Sequence, residues 1–126
     1  MSTPANHLRL DYLEFAVRDV AAAKKFYATV FGWSFTDYGP DYTSFTDGRL
    51  NGGFFHQPDA PTRTNPLAVI FSADLEHTEA AVLSAGAVIA VATREFPGGR
   101  RFDFADTNGL VLSVWCDRRA DGSVIP

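Results

Sequence analysis

The sequence predicts an α+β fold built from two βαβββ modules, and three observations predict it. The order of one strand, one capped helix and three short strands occurs twice. The two helix caps, Asp19 and Asp74, stand 55 residues apart, and Phe45-Thr46-Asp47 is matched by Phe104-Ala105-Asp106 at an offset of 59. A module with one helix for four strands covers one face of its sheet and leaves the other free to curve around a cavity.

Module one is placed at about residues 8–56. Residues 8–17 alternate as a strand does, with Leu13, Phe15 and Val17 on one face and Leu10, Tyr12, Glu14 and Ala16 on the other. Asp19 is positioned to cap a helix from Val20 to about Phe31, because Val20, Ala23, Phe26, Tyr27 and Val30 recur at helical spacing. Gly32 stops it. Strands follow near 33–38, 42–46 and 50–56, set apart by Gly39-Pro40-Asp41 and Asp47-Gly48. Residues 57–66 hold Pro58, Pro61 and Pro66 and read as a linker within one domain, 1–126. Module two, about 67–116, repeats the order: a strand at 67–72, a helix capped by Asp74 and ended by Gly86, and strands at 87–93, 101–105 and 110–116.

Composition narrows the function. Eleven basic and fifteen acidic residues give a net charge of −4, and no Lys/Arg run exceeds two residues. Nucleic acid is therefore not expected as a partner, since phosphate binding needs a concentrated cationic footprint. No apolar run approaches the roughly 20 residues of a membrane span, so no membrane partner is expected either. One cysteine, Cys116, allows no internal disulfide, and the N-terminus has no signal-peptide pattern, which points to a cytoplasmic protein.

Several blocks carry a family resemblance: Val17-Arg18-Asp19, Phe26-Tyr27, Val30-Phe31-Gly32-Trp33, Asp74-Leu75, Ala85-Gly86, and Phe104-Ala105-Asp106-Thr107-Asn108-Gly109. From Leu10 to Trp115 the chain resembles the vicinal oxygen chelate superfamily, which holds glyoxalase I, the bleomycin-resistance proteins and the extradiol dioxygenases. The resemblance implies a curved mixed sheet closing into an open barrel with helices outside, and a homodimer. Catalytic members hold a divalent metal on the first and last strand of each module. Those positions carry over to Tyr12, Leu67, Gly52 or Gly53, and Ser113, which are not a set of metal ligands. A branch without the usual metal site is implied, with no metal and no other cofactor expected.

The residues expected to bind a ligand are Tyr12, Glu14, Ser113 and Trp115. Alternation puts Glu14 beside Tyr12 on the cavity face, and Trp115 beside Ser113. Glu14 is the one candidate for catalysis, as a general base or an anchor for a donor group; its other reading is a rim ion pair with Arg49, Arg100 or Arg101. Tyr12 is read as a donor to a ligand or as filler of the space a metal would take. The leading expectation is a metal-independent protein that binds a small, partly aromatic molecule in the barrel. Two alternatives stand beside it: a metal-dependent lyase or dioxygenase with relocated ligands, and a dimeric interaction module without a ligand.

Overall fold

The computed structural model describes residues 4–126, and the chain divides into two compact units, one ending at Ala60 and the other spanning Pro61–Pro126. The architecture is α+β, with a four-stranded mixed sheet and a helix in each unit.

In the first unit β1 (Tyr12–Val17) leads to α1 (Val20–Phe31), then β2 (Ser34–Asp37), β3 (Tyr42–Thr46) and β4 (Asn51–His56). The sheet order is β1-β4-β3-β2, with β1 parallel to β4 and the other pairs antiparallel. The Asp19 carboxylate accepts from the Ala22 N–H at 3.0 Å and caps α1. Gly32 closes it at φ 72°, a left-handed conformation that glycine adopts without steric cost. Val20, Ala23, Phe26 and Tyr27 face the sheet and are buried. Aromatic rings fill this layer: Tyr27 stacks on Trp33 at 4.8 Å and on Phe54 at 5.3 Å, and Trp33 stacks on Phe45 at 4.6 Å. Such pairs add about 0.5–1.5 kcal/mol each beyond the area they bury.

The second unit repeats the plan with β5 (Val69–Phe71), α2 (Leu75–Ser84), β6 (Val88–Phe96), β7 (Gly99–Ala105) and β8 (Val111–Cys116), in the order β5-β8-β7-β6. Asp74 caps α2 through the His77 N–H at 3.1 Å. Phe102, Phe104, Leu112 and Val114 form its core with Leu75 and Val82 of the helix.

Some expected boundaries move. β1 starts at Tyr12, and Leu8 and Leu10 lie exposed ahead of it. β6 runs on to Phe96 and β7 begins at Gly99, because Phe96 pairs with Gly99 across a two-residue Pro97-Gly98 turn. Leu67, a first-strand position by counting back from the cap, precedes β5; the register sets Val69 opposite Ser113.

The shared Phe-x-Asp blocks have one physical cause. The Asp47 Oδ1 atom accepts from the N–H groups of Arg49 and Leu50 at 2.8 and 2.7 Å, and Asp106 Oδ1 accepts from those of Asn108 and Leu110 at 2.8 and 3.0 Å. Each carboxylate thus folds the turn that starts its unit's last strand.

Candidate functional site

Cross-strand register decides what faces away from α1. Tyr12 pairs with Asn51 and Glu14 with Gly53, while Ser44 also pairs with Gly53 and Thr36 with Ser44. Partners directly opposite share a face, so this face of the first unit gathers a carboxylate, two phenols and a row of hydroxyls. A cavity of about 210 Å³ opens on it, lined by Tyr12, Ser34, Thr36, Ser44, Thr46 and Asn51 among others.

At its edge three side chains form a hydrogen-bonded chain. Tyr42 donates to Glu14 Oε2 at 3.0 Å, and the Tyr12 and Tyr42 hydroxyls are in direct contact. A phenol has one proton. Since Tyr42 gives its own to Glu14, Tyr12 must donate to Tyr42, and the chain runs Tyr12 to Tyr42 to Glu14. What it offers outward is acceptors only: the lone pairs of Tyr12 and the second carboxylate oxygen of Glu14. Partial burial, reinforced by these two bonds, pushes the Tyr42 phenol well above its ordinary range, because an ionised Tyr42 would be desolvated and would stand beside the Glu14 charge.

Glycine at position 53 makes room for this arrangement. A Cβ there would collide with the Tyr42 hydroxyl and meet the Tyr12 hydroxyl at 3.0 Å.

The structure therefore brings Tyr12 and Glu14 together, through Tyr42, which is not among the expected site residues. Tyr42 was recognisable in principle, since Tyr42, Ser44 and Thr46 alternate along β3 on one face. Two readings need correction. Tyr12 has no proton to spare for a ligand, and Glu14 pairs with a phenol where Arg100 had been a candidate partner. Arg100 instead forms a two-pronged ion pair with Glu76 of α2, one arm at 2.8 Å, so the carboxyl of Glu76 is held below its usual range.

Ser113 and Trp115 lie in the second unit. Ser113 is fully buried and its hydroxyl donates to the Phe102 carbonyl at 3.1 Å, which ties β8 to β7. Trp115 is half-buried and meets Phe71 edge-on at 5.3 Å. Asp103, opposite Ser113, is buried and accepts from Arg94 at 3.2 and 3.4 Å.

A divalent metal does not fit the residues present. Among the described residues no three His, Cys, Asp or Glu side chains converge. At the family's metal-bearing places stand Tyr12, whose proton is committed, Gly53, whose space the phenols fill, and Ser113, whose hydroxyl serves the backbone. No helix of the described residues is long and apolar enough to cross a membrane.

Comparison with solved structures finds the same fold in a glyoxalase/bleomycin resistance protein/dioxygenase family enzyme from Burkholderia phytofirmans PsJN, at 19% identity and TM-score 0.72, over 85% of this chain and 98% of that one. The fosfomycin resistance protein FosX from Mesorhizobium loti matches at 17% identity and TM-score 0.72, over 90% and 96%. FosX from Listeria monocytogenes, complexed with Mn(II) and a dihydroxypropylphosphonic acid, matches at 14% and TM-score 0.74, over 85% and 88%. At these identities the likeness concerns the fold alone. No curated protein sequence matches significantly. The family model of the Glyoxalase/Bleomycin resistance protein/Dioxygenase superfamily matches residues 9–114, most of the chain. By its blocks, its repeated sheet order and this match, the chain belongs to the Glyoxalase/Bleomycin resistance protein/Dioxygenase superfamily.

Proposed function

We propose that this chain is a metal-independent member of the superfamily that binds a small, partly aromatic molecule through a hydrogen-bond-donating group, with Glu14 and Tyr12 as its polar anchor. The observation that carries the reading is the proton-committed chain from Tyr12 through Tyr42 to Glu14. Its outward groups accept and do not donate, so their complement is an ammonium, amide or hydroxyl group. Charge-assisted bonds to a carboxylate are about twice as strong as neutral ones, which favours the ammonium. A homodimer and a cytoplasmic location belong to the same reading.

The test is calorimetric titration of 1-naphthylmethylammonium into protein purified without added metal, before and after EDTA, with elemental analysis and native mass spectrometry of the same sample. Binding untouched by EDTA, and weakened at least tenfold in Glu14→Gln, supports the proposal. Near-stoichiometric divalent metal whose removal abolishes binding would overturn it in favour of a metal-dependent enzyme. Equal affinity in Glu14→Gln would remove the anchor.

A further inference from the structure

Tyr12, Tyr38 and Tyr42 are phenols of one unit in unlike surroundings. The Tyr38 and Tyr42 rings lie 6.3 Å apart, but Tyr38 is 66% exposed and its hydroxyl bonds no carboxylate among the described residues. Tyr42 is half-buried, donates to Glu14 Oε2 at 3.0 Å and receives from Tyr12.

That difference matters for electron transfer. A phenol that loses an electron alone becomes a radical cation, and a partly buried site disfavours the new charge. Where a base is already bonded to the hydroxyl, the proton leaves with the electron, the ring stays neutral and oxidation is faster. Tyr42 meets this condition, because Glu14 lies within proton-transfer distance and its carboxylate only accepts. The Tyr42 phenol holds its proton well above the ordinary range, so loss of the proton ahead of the electron is closed at neutral pH. Tyr12, 42% exposed and in hydroxyl contact with Tyr42, joins the pair to the surface.

We infer that Tyr42 is a redox-active tyrosine that gives single electrons to organic peroxyl radicals, with Glu14 as its proton acceptor. In this step one electron passes from Tyr42 to the peroxyl radical, the Tyr42 O–H bond breaks, and the proton forms an O–H bond with Glu14 Oε2. The products are a neutral Tyr42 phenoxyl, a protonated Glu14 and a peroxyl anion, which takes a proton from solvent to become a hydroperoxide. Tyr12 keeps its donor bond to the Tyr42 oxygen throughout. The activity uses the chain of the proposed anchor but needs no bound ligand.

The experiment mixes the full chain at pH 7 with hexachloroiridate(IV), a one-electron oxidant, and follows its bleaching by stopped flow. The natural sequence is expected to show a fast phase that slows at least twofold in deuterium oxide. Glu14→Gln keeps the side-chain shape but takes no proton, and should slow that phase at least tenfold. Tyr42→Phe should remove it, and Tyr38→Phe should leave it unchanged. Electron spin resonance of samples frozen after the fast phase should show a phenoxyl signal that Tyr42→Phe lacks. Circular dichroism checks each fold; should Glu14→Gln fail to fold, the isotope effect and the Tyr42→Phe spectrum read the same step. No fast phase, equal rates in folded Glu14→Gln, a rate insensitive to deuterium, or a phenoxyl that survives in Tyr42→Phe would overturn the inference. Failure of the Glu14 anchor would appear separately, as an ammonium probe that does not respond to Glu14→Gln.

Discussion

The Tyr42 side chain leans diagonally from its own register partner, Phe55, so that its hydroxyl covers the α-carbon of Gly53. The missing side chain at 53 is thus what allows the phenol to reach Glu14 on the far strand. Gly53→Ala forces either Tyr42 or β4 to shift, an overpacking cost of about 1–3 kcal/mol. Tyr42→Ala removes both the hydroxyl and the ring carbon that the new methyl would strike. The double variant should therefore lose less stability than the sum of the singles, which a double-mutant cycle of urea unfolding measures.

Alkaline pH should weaken the first unit through Tyr42. Its folded pKa lies above the unfolded value near 10, so below pH 10 its contribution is complete. Between the two values the unfolded chain releases the proton first, and stability falls as pH rises. Melting temperatures from pH 8 to pH 11 should drop less steeply in Tyr42→Phe than in the natural sequence.

At the acid end the sign reverses for Glu76. Arg100 lowers its folded pKa, so its contribution is complete above the unfolded value and disappears as pH falls through the folded one. The carboxylate is 54% exposed, which limits the pair to about 0.2–1 kcal/mol. Glu76→Gln should cost that much at pH 7 and nothing measurable near pH 2, by denaturant unfolding at both values.

The two turn aspartates are equivalent in sequence and unequal in burial. Asp106 is 5% exposed and serves the buried Leu110 N–H, whereas the bonds of Asp47 are open to solvent. Asp106→Ala strands a buried donor, which costs about 1–3 kcal/mol. Asp47→Ala lets water replace the carboxylate, so its loss should stay below about 1 kcal/mol. Paired chemical denaturation curves distinguish the two.

Features set within a few residues were legible in the sequence. Asp19 and Asp74 cap helices through N–H groups three residues on, and the helix from Val20 to Phe31 follows from its apolar spacing. Features set by register were less so. That Tyr42 bonds Glu14, 28 residues away, depends on the placement of β3 and β4, which alternation does not give. Residues 94–100 fall between the strands expected at 87–93 and 101–105, because glycine and proline mark turns locally. In the folded unit Gly99 is already paired, and a Cβ there would meet the Cys116 carbonyl at 2.7 Å. Pairing from Gly99 onward sends Arg100 to Glu76 and Arg101 to the opposite face beside Trp115. The metal-position count failed at Leu67 because β5, at three residues, is half the length of β1.

In each unit the first strand bonds in parallel to the last: β1 to β4, and β5 to β8. A growing polypeptide therefore makes β1 well before any backbone exists to receive it. Phe15 and Val17, both buried in the finished unit, must wait as an unpaired apolar segment while some forty residues are added. The helix and the hairpins that follow are local and quick to form, so they build the slot that the oldest segment enters last. Release of a nascent chain that ends at Leu50 would leave that segment exposed, a natural handle for chaperones.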